Sequence, residues 1–367
     1  MSRTIEHFNY LHQIPELGFE EYKTSTYIAK HLIAAGYKVT QNIHGTTGIM
    51  AELDSGYPGP VLALRADMDA LGHIIAGQHE ARHTCGHDGH SSVMLTTAEE
   101  IIEQGLVKKG RLKIFFQPAE ELGTGAIAMV EGGVLDDVDM LLGFHLRPME
   151  ECPGGQAVPA MYYSASATVE AVFTGKAAHA ARPHLGVNAL DAAAHAVQAV
   201  NGIHLSPSLT FSAKATRFLS DAGVTNSIPA QARVCWDLRS ESNEGMQLLK
   251  TQVERALIYS AGAWGASVDI QILKEMPAAI IHDEATAVIR GAIREVLGEE
   301  GLTEPKATPG SEDFFHYLRL RPGVKGGFWG LGANLTPGLH HPDMHFDRES
   351  LATGVAIFKA CVRHVLG

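Results

Sequence analysis

Three short apolar runs in the first half of this chain each end on a group of polar, chemistry-bearing residues, and that pattern constrains the fold most. Val61-Leu-Ala-Leu-Arg65 runs into Asp67-Met-Asp69, Leu112-Lys-Ile-Phe-Phe116 into Pro118-Ala-Glu-Glu121, and Val138-Asp-Met-Leu-Leu-Gly-Phe144 into His145. Short apolar runs bounded by turn residues predict buried strands. Helix-like segments alternate with them: Glu20 to Ala35 with Gly36 as a C-cap, and His90 to Gln104 with Ser91 and Ser92 near its start. A further strand over Gly327 to Gly332 and a helix over Glu349 to Leu366 close the chain. Alternating β and α predicts an α/β domain, a mixed sheet with helices on both sides. Open α/β sheets bind ligands beyond the C-terminal ends of their strands, which is where these polar groups fall.

The middle of the chain follows a different rule. Ser166 to Phe173 alternates like a half-buried strand, Val187 to Val200 is an alanine-rich helix, and Leu209 to Phe218 and Ala232 to Leu238 are strands. Asn243 to Ser260 is helical and Ser267 to Leu273 is again a strand. The order β-α-β-β-α-β is that of a ferredoxin-like α+β sandwich. The expected organisation is therefore an inserted domain over 163–275 within a discontinuous α/β domain over 1–162 and 276–367.

Composition narrows the function classes. The 367 residues contain 45% hydrophobic and 19% charged residues, ordinary for a globular protein large enough to bury a core without disulfides. The formal charge of −12 comes with no basic cluster, so nucleic acid is not an expected partner. No apolar run reaches the length of a membrane span, and the first residues show no signal-peptide core. Four scattered cysteines (Cys85, Cys152, Cys235, Cys361) suggest no disulfide framework, so a reducing, cytoplasmic setting is expected.

The candidate chemistry lies in Cys85-Gly-His-Asp-Gly-His90 and Pro118-Ala-Glu-Glu121. The first offers a sulfur and an imidazole two residues apart, and the second offers adjacent carboxylates. Mixed S, N and O donors suit a zinc-type ion. A carboxylate beside a ligating carboxylate suits a base for an activated water. Each piece has an ordinary alternative: a buried cysteine, a solvated glutamate pair, a structural His145, or a polar turn at His340-His341. The glycine-rich setting of Cys85 and the abrupt end of an apolar strand at Pro118 favour the metal reading. Paired Cys-x-x-Cys elements of a structural zinc site are absent from the sequence.

Taken together, these residues resemble the dinuclear-metal aminoacylase and carboxypeptidase family, in particular the branch with hippurate hydrolase and indoleacetyl-amino acid hydrolases. The motifs that carry the resemblance are Leu64-Arg-Ala-Asp-Met-Asp-Ala-Leu71, Thr84-Cys-Gly-His-Asp-Gly-His90, Phe116-Gln-Pro-Ala-Glu-Glu121, Gly143-Phe-His145, Lys176-Ala-Ala-His-Ala-Ala181, Asn226-Ser-Ile-Pro229, Asp237-Leu-Arg239, Gly310-Ser-Glu-Asp-Phe314 and Leu339-His-His-Pro342. The resemblance implies Cys85, His87, Glu121, His145 and His340 as ligands of two divalent metal ions (Zn, Mn or Co), with Glu120 as general base. The family's Leu-His-x-Pro pattern selects His340 over His341. The resemblance further implies that His179 polarises the scissile carbonyl, that Asn226 and Arg239 hold a substrate carboxylate, and that the inserted domain is a lid and possible homodimer interface. Asp67, Asp69 and Asp88 are candidates for orienting ligands. The chain departs from the family at Gly72, where proline is usual, and in the short histidine-rich segment up to Cys85.

The expected activity is amide hydrolysis of a small-molecule N-acyl amino acid. A metallo-dipeptidase or carboxypeptidase on the same scaffold is the alternative, and a non-catalytic binding protein is disfavoured by the intact Glu120.

Overall fold

The computed structural model describes residues 2–367. The chain forms two compact units, one of Met1–Tyr162, Ile280–Thr308 and Asp313–Gly367, the other of Tyr163–Ala279 and Pro309–Glu312. The first unit is built on a seven-stranded sheet. In spatial order its strands are Lys38–Gln41, Ile49–Asp54, Arg111–Gln117, Val61–Asp67, Met140–Pro148, Lys325–Leu335 and Ala157–Val158. The four strands from Arg111–Gln117 to Lys325–Leu335 pair in parallel, and the flanking strands pair antiparallel. All seven residues of Val61–Asp67 are buried, as expected of a strand covered on both faces. Leu62, Leu64, Ile114, Phe116, Leu142 and Phe144 enter one core with residues from the covering helices. Phe144 stacks on Trp329 of the neighbouring strand at 5.1 Å.

Three helices near the N-terminus matter below: α1 (Arg3–Leu11), α2 (Tyr22–Ala35) and α3 (His87–Gln104). The C-cap of α2 is Gly36 at φ 106°, a left-handed position that glycine occupies without a Cβ penalty. The α3 helix starts three residues before the expected His90, because Gly86 at φ 88° turns the chain sharply enough for His87 to begin the first turn. His87, Asp88 and His90 are therefore held on a rigid helix end, and all three are buried.

Two further departures have local causes. His145 lies inside its strand rather than beyond it, since pairing with Lys325–Leu335 continues past His145↔Gly330 to Pro148↔Leu335. The histidine-rich segment forms a hairpin of Leu71–Ile75 and Gln78–Arg82. Its two-residue turn, Ala76 and Gly77, has φ 49° and 82°, the both-positive geometry that matches strand twist in tight hairpins.

The second unit has its four strands in the order Phe211–Leu219, Gln231–Ser240, Ala165–Thr174, Ser267–Met276, all antiparallel. With helices Ala189–Asn201 and Asn243–Ala263 between them, this is the ferredoxin-like arrangement. Val169, Ala171 and Phe173 alternate onto one face and join Val234, Trp236 and Leu238 in a separate core. Ala189, Ala192, Ala193, Ala196 and Val200 form the buried stripe of the first helix, where small side chains permit close packing.

Candidate metal centre

The parallel strands deliver the predicted residues to one place in the first unit. Asp67 ends one strand, Glu120 and Glu121 form the turn after the next, and His145 comes from a third. The glutamate turn is tight: Ala119 has φ 52°, and Gly123 N–H returns to the Glu120 carbonyl at 2.8 Å. A Cβ at Gly125 would lie 1.7 Å from the Pro118 carbonyl oxygen, so that position admits only glycine.

Cys85 Sγ lies 3.4 Å from His145 Nε2, and Cys85, His87 and His145 are all buried. His340 Nε2 approaches Glu121 Oε1 at 3.3 Å, and Cys85, Glu121 and His340 offer donor atoms within 4.8 Å of one another. His87, Glu120 and Glu121 form another such group. The chain at His340 adopts φ 65° and its N–H bonds the Thr84 carbonyl at 2.7 Å, tying that loop to the residue before Cys85. His341 turns elsewhere, its Nδ1 accepting from Asp343 N–H at 3.1 Å. Thus the five residues proposed as ligands converge, and so does Glu120.

The surrounding groups fix their orientations. Asp69 takes His87 Nδ1 at 3.1 Å on one oxygen and accepts Glu121 N–H at 2.9 Å on the other. That leaves His87 Nε2 aimed inward. It is buried without a hydrogen-bond partner, 3.8 Å from Asp67 Oδ2 and 4.0 Å from a carboxylate oxygen of each of Glu120 and Glu121. An imidazole nitrogen desolvated in this way costs roughly 1–3 kcal/mol unless something takes its lone pair. With sulfur, imidazole and carboxylate donors gathered around it, a divalent cation of the zinc type fits. Asp67 binds His90 Nδ1 at 2.7 Å and Arg65 at 2.6 Å, while Asp88 holds His12 at 2.6 Å and so acts away from the donors.

Electrostatics follow from burial. Burial would lower the His87 pKa, but with no cation present Asp67, Cys85 and Asp69 hold it well above the ordinary value; an ion at Nε2 would take the place of that proton. Burial would raise that of Asp67, yet His87, Arg65 and His90 hold it well below. Burial, with the His90 and Arg147 charges, keeps His145 well below its usual range, hence neutral and able to ligate. Burial and the Glu121 charge push the Cys85 thiol well up, a tendency that an adjacent cation reverses.

Three supporting residues carry little signal in the sequence. The buried Arg65 donates to Gln117, Asp67 and Asp313 at 2.8, 2.6 and 2.9 Å. Asp313 also accepts Ala126 N–H, and its own N–H reaches Glu120 Oε1 at 3.3 Å. The buried Glu21 accepts the Ala119 N–H at 2.9 Å, bracing the turn that carries Glu120. The signal for Asp313 is its place in Gly310-Ser-Glu-Asp-Phe314; Glu21 carries none beyond an acid at the N-terminus of α2.

In the second unit, His179 and Asn226 are brought side by side. His179 pairs with Ser227 in a two-stranded ribbon, and Ala180 N–H bonds the Asn226 carbonyl at 2.8 Å. Arg239 is on the four-stranded sheet, its Nε and Nη2 engaged by Asp237 at 2.8 and 3.0 Å and its Nη1 by Ser311 at 3.2 Å. Among the described residues no helix is long and apolar enough to cross a membrane.

Comparison with known proteins identifies the family. Residues 63–364 match Peptidase family M20/M25/M40. The chain is 30% identical to N-acetylcysteine deacetylase of Bacillus subtilis over 95% of this chain and 93% of that protein. It is 33% identical to one of the subunits of p-aminobenzoyl-glutamate hydrolase from Escherichia coli, over 85% of this chain and 75% of the relative. A crystal structure from Bacillus subtilis, described as a dinuclear metal-binding peptidase of the M20 family, superposes with a TM-score of 0.78 at 26% identity, covering 99% of this chain and 98% of that one. These likenesses support two divalent metal ions per chain. The chain belongs to Peptidase family M20/M25/M40 and is a metal-dependent hydrolase of amide bonds.

Proposed function

We propose that this hydrolase cleaves N-acyl amino acids into a carboxylic acid and a free amino acid. The observation that carries the reading is that adjacent carboxylates face different partners. Both lie 4.0 Å from His87 Nε2, but Glu121 is also directed to His340 and Cys85, whereas the other oxygen of Glu120 is held by the Asp313 N–H. One can ligate while the other handles a proton. The names of the two relatives point the same way, since N-acetylcysteine and p-aminobenzoyl-glutamate are both acylated amino acids.

In this reading Cys85, His87, Glu121, His145 and His340 hold two divalent ions. When bound, the ions polarise the scissile carbonyl and acidify the attacking water. Glu120 takes the proton from that water and delivers it to the leaving amine, so that water and amide give acid and amine. His179 donates a hydrogen bond to the carbonyl oxygen as it gains charge. Asn226 and Arg239 bind the free carboxylate of the amino-acid half. The test is product analysis with protein reconstituted in Zn, Mn or Co. Release of free amino acid from N-acyl amino acids, faster than from dipeptides, supports the reading. Cleavage of dipeptides with N-acyl amino acids left intact would replace it by a dipeptidase.

A further inference from the structure

A second set of metal-type donors meets where three helices of the first unit pack together. His7 lies on α1, His31 on α2 and Glu99 on α3. His7 Nε2 is 3.1 Å from Glu99 Oε2, and His31 Nδ1 is 3.1 Å from Glu99 Oε1, so two imidazoles address opposite oxygens of one carboxylate. The two rings meet edge to face at 4.8 Å. The three donor atoms lie within 4.8 Å of one another. His7 is almost wholly buried and Glu99 mostly so, at 4% and 14% side-chain exposure, while His31 at 32% borders a surface cavity of about 410 Å³.

We propose that His7, His31 and Glu99 bind a first-row divalent cation of the zinc type, at a site separate from the centre around Cys85. Two imidazoles and one carboxylate are a donor set suited to zinc or iron, and the cavity leaves positions for water to complete the coordination. His7 has the outer partner such a ligand needs: its Nδ1 is 2.8 Å from the Tyr27 hydroxyl, so a proton on Nδ1 leaves the Nε2 lone pair for the ion. The rim adds acidic charge through Glu6 and Glu103, against one cation, Arg3, which pairs with Glu103 at 2.8 Å and lies 3.5 Å from Glu99. Because each donor comes from a different helix, the ion would clamp α1, α2 and α3 together. Its expected role is structural, and the inference does not depend on which amide the enzyme cleaves.

The experiment counts zinc. Full-length wild type, His31→Ala and Glu99→Gln are equilibrated with Zn²⁺, and bound metal, thermal unfolding and hydrolytic rate are measured. Wild type is expected to bind one equivalent beyond the two of the Cys85 centre. Both variants are expected to lose that equivalent, with affinity down at least about 100-fold and hydrolytic rate unchanged. Tyr27→Phe should keep the equivalent but bind it about 10–100-fold more weakly. Zinc should raise the unfolding temperature of wild type more than that of His31→Ala. Wild type saturating at two equivalents overturns the proposal without reference to any variant, and so does an unchanged third equivalent in folded His31→Ala.

Discussion

At the residue scale, Asp69 and Arg65 do the organising that the proposed ligands depend on. Asp69 fixes the His87 ring and the Glu121 backbone with its two oxygens. Asp69→Ala should therefore weaken metal binding about 10–100-fold, measured by chelator competition; unchanged affinity would show that the bridge is incidental. Arg65 is fully buried and bridges Asp67 and Asp313, its one positive charge shared between two carboxylates. Arg65→Leu removes that shared cation from two buried carboxylates and should cost about 3–5 kcal/mol in chemical unfolding, whereas a loss below about 1 kcal/mol would mean that the remaining partners, His90 at Asp67 and Gln117 at Asp313, compensate them. The ligand-type residues are legible in sequence because Cys85-Gly-His87 and Glu120-Glu121 are local patterns. Arg65–Asp313 is not, since the partners are far apart in the chain and only the fold brings them together.

At the element scale, strand ends and caps decide where the chemistry sits. The strand Val61–Asp67 is readable as an unbroken apolar run, and the end of α2 at Gly36 as a glycine cap. The hairpin Leu71–Arg82 is hard to read because its strands are largely exposed and mixed in composition; the Ala76-Gly77 turn is the available sign. The Glu120 turn has its own support in Glu21 at the N-terminus of α2. Burial pushes the Glu21 carboxyl up to about 7, against the Thr47 hydroxyl and the Ala119 N–H, which favour the charged form. The folded state thus holds this proton more tightly than the unfolded chain. Its contribution to stability is complete below the ordinary glutamate range and is lost as pH rises through about 7. The full effect is about 3 kcal/mol. Metal-free wild type should lose thermal stability between about pH 5 and about pH 8, and Glu21→Gln should lose less. Equal pH slopes for the two proteins would contradict this.

At the scale of the whole molecule, the chain forms two units with separate cores. The first gathers the donors and Glu120; the second carries His179, Asn226 and Arg239. The ferredoxin-like order of the second unit is legible from alternation alone, whereas the engagement of Arg239 by Asp237 two residues away is not, because a strand-end arginine shows no partner in sequence. Arg239→Ala should raise KM for N-acyl amino acids, with a loss on the order of 2–4 kcal/mol in kcat/KM, and leave metal content intact. It should also remove most of the preference for the free acid over the corresponding amide. A wild type indifferent to that carboxylate would remove Arg239 from the site. The most direct measurement is turnover of an N-acyl amino acid by metal-replete wild type and Glu120→Gln, with metal counted in both. The account predicts about two ions per chain in each and a fall in kcat of at least about 10²–10⁴-fold in the variant; near-normal turnover by a metal-replete Glu120→Gln enzyme would contradict it.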